Sequence, residues 1–236
     1  MLTNQECMSL TGKQVVKDRL CTDPSLNTNC EKTENTVCLQ GKDEVYFVDS
    51  CGNAANIYDS TKRNNIDYWK KVVPKEQACN SGNNNANSIS CGNCNYFSGS
   101  VCKTYSRTED SNSPKYGNNI CRDLDCYDTY DGKDYKHGEA WCIYDENLKN
   151  GSALAGSRYW RHLCIEGKEI VEPCGDYRQE VCIQNTVNNE GVVFNFAKCR
   201  LNNWRQCLGL EKNECSKYPE DCFWNLSYRT RQEYHR

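Results

Sequence analysis

Apolar residues along this chain fall in short runs separated by polar, Asn- and Gly-bearing stretches, a pattern that predicts small antiparallel sheets, a few short helices and long loops. Glu44-Val45-Tyr46-Phe47-Val48-Asp49 concentrates β-branched and aromatic residues and is closed by Ser50-Cys51-Gly52, so it reads as a strand. Residues 158 to 172 read as a hairpin: Tyr159 to Ile165, a turn at Glu166-Gly167-Lys168, then Glu169 to Glu172. Tyr177 to Gln184 and Val192 to Ala197 make a second pair, joined through Asn188-Asn189-Glu190-Gly191, whose Asn and Gly residues tolerate positive φ. Helical spacing occurs twice. It places Ile66, Trp69, Val72 and Val73 on one side of 65–73 before Pro74, and Trp204, Cys207 and Leu208 on one side of 201–208.

The apolar supply is thin. Leu, Ile, Val and Phe make up 39 of 236 residues, whereas 19 residues are cysteine. A core below roughly 20 % of these four residue types does not offset chain entropy unaided. Each bridge closing a loop of about 15 residues supplies on the order of 3 kcal/mol, so eight or nine bridges would make up the deficit. The 15 Tyr, 5 Trp and net charge of only −3 argue against disorder. Such cysteine usage persists in an oxidising place, at the cell surface or outside the cell. The expected bridge-forming set is Cys7, Cys21, Cys30, Cys38, Cys51, Cys79, Cys91, Cys94, Cys102, Cys121, Cys126, Cys142, Cys164, Cys174, Cys182, Cys199, Cys207, Cys215 and Cys222, with one left unpaired. Spacing alone does not give the pairing.

A polar stretch, Asn80-Ser81-Gly82-Asn83-Asn84-Asn85-Ala86-Asn87-Ser88, divides the cysteines into six before and thirteen after. The expected organisation is a Cys-rich domain at 1–80, a linker or loop at 81–90, and a β-rich Cys domain at 91–236, with the odd cysteine in the last. Met1 to Cys7 carries neither a basic nor an apolar leader region, so the chain is expected to be a processed or excised piece. It holds no apolar run of membrane-spanning length. A pI near 5.7 disfavours a nucleic-acid partner. Asn150-Gly151-Ser152 and Asn225-Leu226-Ser227 are glycosylation acceptors in an exported chain.

Each candidate for chemistry competes with a simpler reading. Cys91-Gly92-Asn93-Cys94 has the spacing of half a zinc site or of a thiol redox pair, but no second C-x-x-C accompanies it, and structural bridges are the favoured reading. Asp123, Asp125, Asp128, Asp131 and Asp134 could hold calcium. Aligning Gly132 with an EF-hand glycine, however, puts Tyr127 and Gly138 at the outer ligand positions, and a turn at Asp131-Gly132 accounts for the run. His137-Gly138-Glu139 with Pro173-Cys174 partly matches a zinc deaminase signature, which then fails because Tyr177 stands where a cysteine is required, leaving His137 as a polar loop residue before a strand. Neither a nucleophile elbow nor a metalloprotease helix is present. Tyr159, Trp160, Trp204, Phe223 and Trp224 could form a partner- or glycan-binding face, although a chain this poor in Leu and Ile favours placing them in the core.

Several strings are familiar as a group: Val48-Asp49-Ser50-Cys51-Gly52-Asn53-Ala54-Ala55-Asn56-Ile57-Tyr58, Cys91-Gly92-Asn93-Cys94-Asn95-Tyr96, Cys121-Arg122-Asp123-Leu124-Asp125-Cys126, His137-Gly138-Glu139-Ala140-Trp141-Cys142 and Gly156-Ser157-Arg158-Tyr159-Trp160-Arg161-His162. Together, over about residues 38 to 224, they resemble a cysteine-rich segment of large exported cell-surface proteins of small-genome archaea of the DPANN type. The resemblance implies a cell-surface location and membership in a larger polypeptide, and carries no catalytic residues. The expected function is a structural or adhesive module that assembles with itself, with other surface proteins or with glycans. The alternatives are a secreted hydrolase of polysaccharide or peptide using acids near 123–139, and a thiolate metal-binding domain. No resident cofactor is expected, calcium and zinc being the ions the candidate residues would suit.

Overall fold

The computed structural model describes residues 16–145, 158–176, 179–189, 192–218 and 221–222. As expected, it is mainly β, built of small antiparallel sheets and held by disulfides. The chain divides into two compact units between Asp125 and Cys126, not at 81–90.

In the first unit, β1 (Lys32–Cys38), β2 (Val45–Asp49) and β3 (Ala54–Ile57) form an antiparallel meander. The alternation in β2 turns Val45 and Phe47 into the core, where both are fully buried. Phe47 meets Tyr58 and Trp69 with ring centroids 5.1 and 5.2 Å away. Strands β4 (Ser100–Thr104) and β5 (Asn119–Asp123) form a hairpin beside this cluster and bring in Cys102 and Cys121. Arg122 clamps the loop between them. Its Nε and Nη2 reach both carboxylate oxygens of the buried Asp110, at 2.9 and 3.1 Å, and Nη2 also donates to Thr104 O.

The polar stretch at 81–90 belongs inside this unit. Bridges Cys38–Cys102 and Cys79–Cys91 both cross it. Asn80, Asn85 and Asn87 take left-handed φ, and the buried Asn85 amide donates to the carbonyls of Asn80, Asn83 and Asn93. Asparagine suits a compact loop of this kind because it tolerates positive φ and its amide satisfies carbonyls that no ladder reaches.

In the second unit, β6 (Ala140–Tyr144), β7 (Tyr159–Ile165) and β8 (Lys168–Pro173) form another meander. The expected 158–172 hairpin is its second half. Glu166 and Gly167 have φ of 49° and 73°, as a two-residue hairpin turn of the primed type requires. Strands β9 (Glu180–Asn189) and β10 (Val192–Leu201) pair along ten residues, further than the apolar pattern indicated. One face of the β6–β8 sheet packs Ala140, Tyr159 and Leu163 against Cys174, Cys182 and Ala197. On the other face Trp141 stacks flat on Tyr135, with centroids 3.7 Å apart, beside the Cys126–Cys164 bridge.

Neither expected helix forms at length. Within 65–73 only a single 3-10 turn, Asp67–Trp69, exists. The buried Asn56 side chain donates to the carbonyls of Tyr68 and Lys71 and accepts from Val73 N, while Leu20 N and Val72 N bond Lys70 O and Asp18 O. The backbone groups of a further helical turn are thus already engaged. Within 201–208, Leu201 ends β10 and only Trp204–Cys207 is a 3-10 turn, followed by α1 (Lys212–Cys215).

Past β10, Asp221 accepts from Arg200 Nη1 and Nη2 at 2.8 and 2.5 Å and from Asn203 N at 2.9 Å. The hydrogen bonds from Arg200, opposed by burial, hold its carboxyl below its ordinary value of 3.8. Because the folded pKa is depressed, this stabilisation is fully present above pH 3.8 and is lost as pH falls through the folded value. The protection of the Asn203 amide relative to its intrinsic exchange rate is therefore expected to fall on acidification below that point, and an Asp221→Asn variant is expected to lose the dependence. An unchanged Asn203 profile in that variant would contradict the assignment.

Candidate functional site

The cysteines settle several of the candidates at once. Eight disulfides occur among the described residues: Cys30–Cys51, Cys38–Cys102, Cys79–Cys91, Cys94–Cys121, Cys126–Cys164, Cys142–Cys182, Cys174–Cys199 and Cys207–Cys222. Cys21 and Cys215 are unbridged, so the spare cysteines are not confined to the second part of the chain. Cys7 lies outside the described residues, as do Asn150, Asn225, Phe223 and Trp224.

Cys91 and Cys94 bond to different partners, so the C-x-x-C motif offers neither a thiolate pair nor an internal redox bridge. The intervening Gly92 gives the physical reason. Its carbonyl accepts from Val45 N at 2.9 Å and its amide donates to Tyr58 O at 2.7 Å, which lays the motif along the core like an extra strand. Cys94 N then bonds back to Gly92 O at 2.9 Å, so the segment turns between the two cysteines and each sulfur goes to its own bridge.

The acidic run organises turns. Asp131 accepts from Thr129 Oγ1, Lys133 N and Nζ, and Tyr135 OH around a turn in which Gly132 has φ of 73°. Burial opposes its ionisation, but the hydrogen bonds from Lys133, Thr129 and Tyr135 outweigh it and keep the carboxyl below its ordinary value. Asp123 accepts from Asp125 N, and Asp134 from Asp128 N. Glu139, also buried, accepts from Lys136 N, Asn195 N and Asn195 Nδ2. The acids considered as working groups near 123–139 are thus largely committed to the backbone. Among the described residues, one grouping brings three metal-type ligand atoms within 4.8 Å, on Cys30, Asp49 and Cys51. Its two sulfurs are bonded to each other, and Asp49 accepts from Cys51 N and Asn53 N. His137 sits in the loop before β6, as expected, and accepts from Glu166 N.

A different place collects chemistry. On the face of the β6–β8 sheet away from β9 and β10, alternation and register set Ile143, Trp160, His162 and Val171 side by side. The turn carrying Tyr130 folds over one end, with its ring 6.0 Å from His162, and Tyr130 N donates to Glu169. A cleft of about 290 Å3 results, lined also by Tyr144 and Asp145. His162 is 4 % exposed, and its Nδ1 lies 2.5 Å from Glu169 Oε1. The Glu169 carboxylate holds the imidazole at Nδ1 and so fixes the orientation of the ring. The Asp145 carboxylate has no partner among the described residues. Arg158 lies over the Trp160 ring at 5.5 Å and also pairs with Asp176.

Of the described members of the sequence-derived aromatic set, Trp160 lines this cleft. Tyr159 packs on the opposite face, and Trp204 is 54 % exposed instead of entering the core. The core aromatics are Phe47, Tyr58, Trp69, Tyr135 and Trp141. No signal short of the β6–β7–β8 register would have joined Tyr130, Trp160 and His162. No protein-family model, no curated protein and no solved structure matches the chain.

Proposed function

We propose that this chain is a structural or adhesive module of an extracellular cell-surface protein, built to keep its shape in an oxidising environment and to act within a larger assembly. The observation that carries the proposal is the distribution of the eight bridges, which tie both units from within and leave few thiols. No helix among the described residues is long and apolar enough to cross a membrane. The resemblance to exported archaeal surface proteins, and the glycosylation of Asn150 and Asn225, belong to the same proposal. The hydrolase alternative draws on the His162–Glu169 pair, an imidazole oriented as a general base would be. It predicts that a His162→Ala variant loses a hydrolytic activity that the native chain displays.

Intact mass after alkylation under denaturing, non-reducing conditions tests the main reading. Eight bridges among 19 cysteines leave no more than three residues to alkylate. A larger number in protein folded under oxidising conditions would remove its basis.

A further inference from the structure

We infer that the cleft beneath Tyr130 is a saccharide subsite that accepts a neutral sugar ring. The inference rests on the extracellular, adhesive reading above. The lining combines aromatic and apolar faces with a carboxylate. Trp160, Tyr130 and Val171 offer flat or apolar surface, whereas the Asp145 carboxylate offers hydrogen-bond acceptors. A pyranose presents the complement, with C–H groups on its faces for stacking and hydroxyl donors around its rim. Acceptors of this kind disfavour an anion. An aromatic cage beside a carboxylate would also suit an organic cation, but Arg158 already stands over Trp160 and places positive charge there. The site is small and shaped by sheet residues, with its imidazole buried and oriented, and so suits one or two sugar rings better than an extended peptide.

Titrating the full oxidised chain with cellotetraose, chitotetraose and mannotetraose, read by tryptophan fluorescence and ligand-detected NMR, tests this. At least one is expected to bind, with Trp160→Ala weakening it about tenfold or more and Trp160→Phe recovering part of the loss. Asp145→Asn is expected to weaken binding while leaving the melting temperature unchanged, because the carboxylate has no partner among the described residues. Three outcomes would overturn the assignment: no binding of any of the three up to about 10 mM, binding indifferent to both substitutions, or binding of phenyltrimethylammonium in place of the sugars. None of these would alter the thiol count, so failure of the subsite and failure of the extracellular reading are separable.

A second inference rests on the bridges alone. The geometry points to a tandem duplication of one three-bridge module. Taken in chain order, Cys30, Cys38, Cys51, Cys94, Cys102 and Cys121 pair first with third, second with fifth and fourth with sixth. So do Cys126, Cys142, Cys164, Cys174, Cys182 and Cys199. Each set is what remains when one of the four bridges of its unit, Cys79–Cys91 or Cys207–Cys222, is set aside, so the shared order gains its force from placement. Placement agrees as well. Each set has a three-stranded meander followed by a hairpin, with bridges running from its first strand to the first hairpin strand and from the residue eight before that to the second. The corresponding strings Val101-Cys102 and Val181-Cys182, and Cys121-Arg122 and Cys199-Arg200, align, and both arginines pair with an aspartate whose side chain is almost wholly buried.

The copies differ in their loops. The first inserts residues 58–93 with the Cys79–Cys91 bridge, whereas in the second Cys174 directly follows β8. A crystal structure of the full chain is expected to superpose the two sets of strands and six cysteines, with each hairpin on the same face of its meander. Non-reducing peptide mapping is expected to return the same order of pairs. Hairpins on opposite faces, or a direct Cys102–Cys121 or Cys182–Cys199 bridge, would overturn the duplication.

Discussion

Replacing Gly92 by alanine is expected to destabilise the first unit on the order of 3 kcal/mol, an overpacking cost at the upper end of the usual range. An added Cβ would lie 2.6 Å from Val45 Cβ, 2.9 Å from Tyr58 Cβ and 3.0 Å from Val45 O. None of these atoms is the free end of a flexible side chain. The methyl group can be admitted only by moving the backbone of the motif away from β2, which stretches the hydrogen bonds it makes to Val45 and Tyr58. Those two residues belong to the core cluster, so the disturbance reaches Phe47 and Trp69. A thermal melt followed by near-ultraviolet circular dichroism should fall by roughly 10 °C or more, by the usual relation between stability and melting temperature. Gly132→Ala is the control: its φ of 73° imposes strain of about 1 kcal/mol, but its Cβ meets nothing. Equal melts for the two variants would refute the close-packing account of the motif.

Removing the Cys94–Cys121 bridge by paired substitution to alanine should cost about 3.5 kcal/mol on chain-entropy grounds for a loop of this length. The true effect is expected to be larger, since both sulfurs are fully buried against Val45 and Phe47 and their loss also leaves unfilled core volume. Cys207–Cys222 closes a loop of 15 residues, so its entropic term is similar at about 3 kcal/mol, yet no core cluster includes it. Hydrogen exchange separates the two cases. Cys94→Ala with Cys121→Ala should expose the amides of residues 45–58, whereas Cys207→Ala with Cys222→Ala should leave them protected. Native-like protection of 45–58 in the first variant would show that the bridge is redundant with the aromatic core.

Strand identity was readable wherever it depended on neighbours in sequence. The run at 44–49 and the two later hairpins announce themselves through β-branched and aromatic alternation and through turn residues that tolerate positive φ, and all three are present. Strands such as β1 and β4, in which polar residues outnumber apolar ones, carry no such signal, because their pairing rests on a partner strand and a bridge. The helical spacing at 65–73 misled for the same reason in reverse. Trp69 is buried as its position suggests, but Ile66 and Val72 are 62 % and 49 % exposed, since Asn56 and residues 18–20 take up the backbone groups a helix needs.

Composition alone determined the class of this protein. Too little aliphatic surface and too many cysteines require a cross-linked fold suited to an oxidising place, whatever the details of the pairing. The pairing itself, the division at 125 and the cleft were decided by tertiary structure. A disulfide forms where two Cβ vectors converge with Cα atoms about 5 to 6 Å apart, a condition on packing between elements. Cys102 faces Cys121 directly across one hairpin, and Cys182 faces Cys199 across the other, yet all four bond elsewhere. Side chains opposite each other in a ladder leave the sheet on the same side, and here that side carries them to partners in the packed layer, which no reading of spacing along the chain contains.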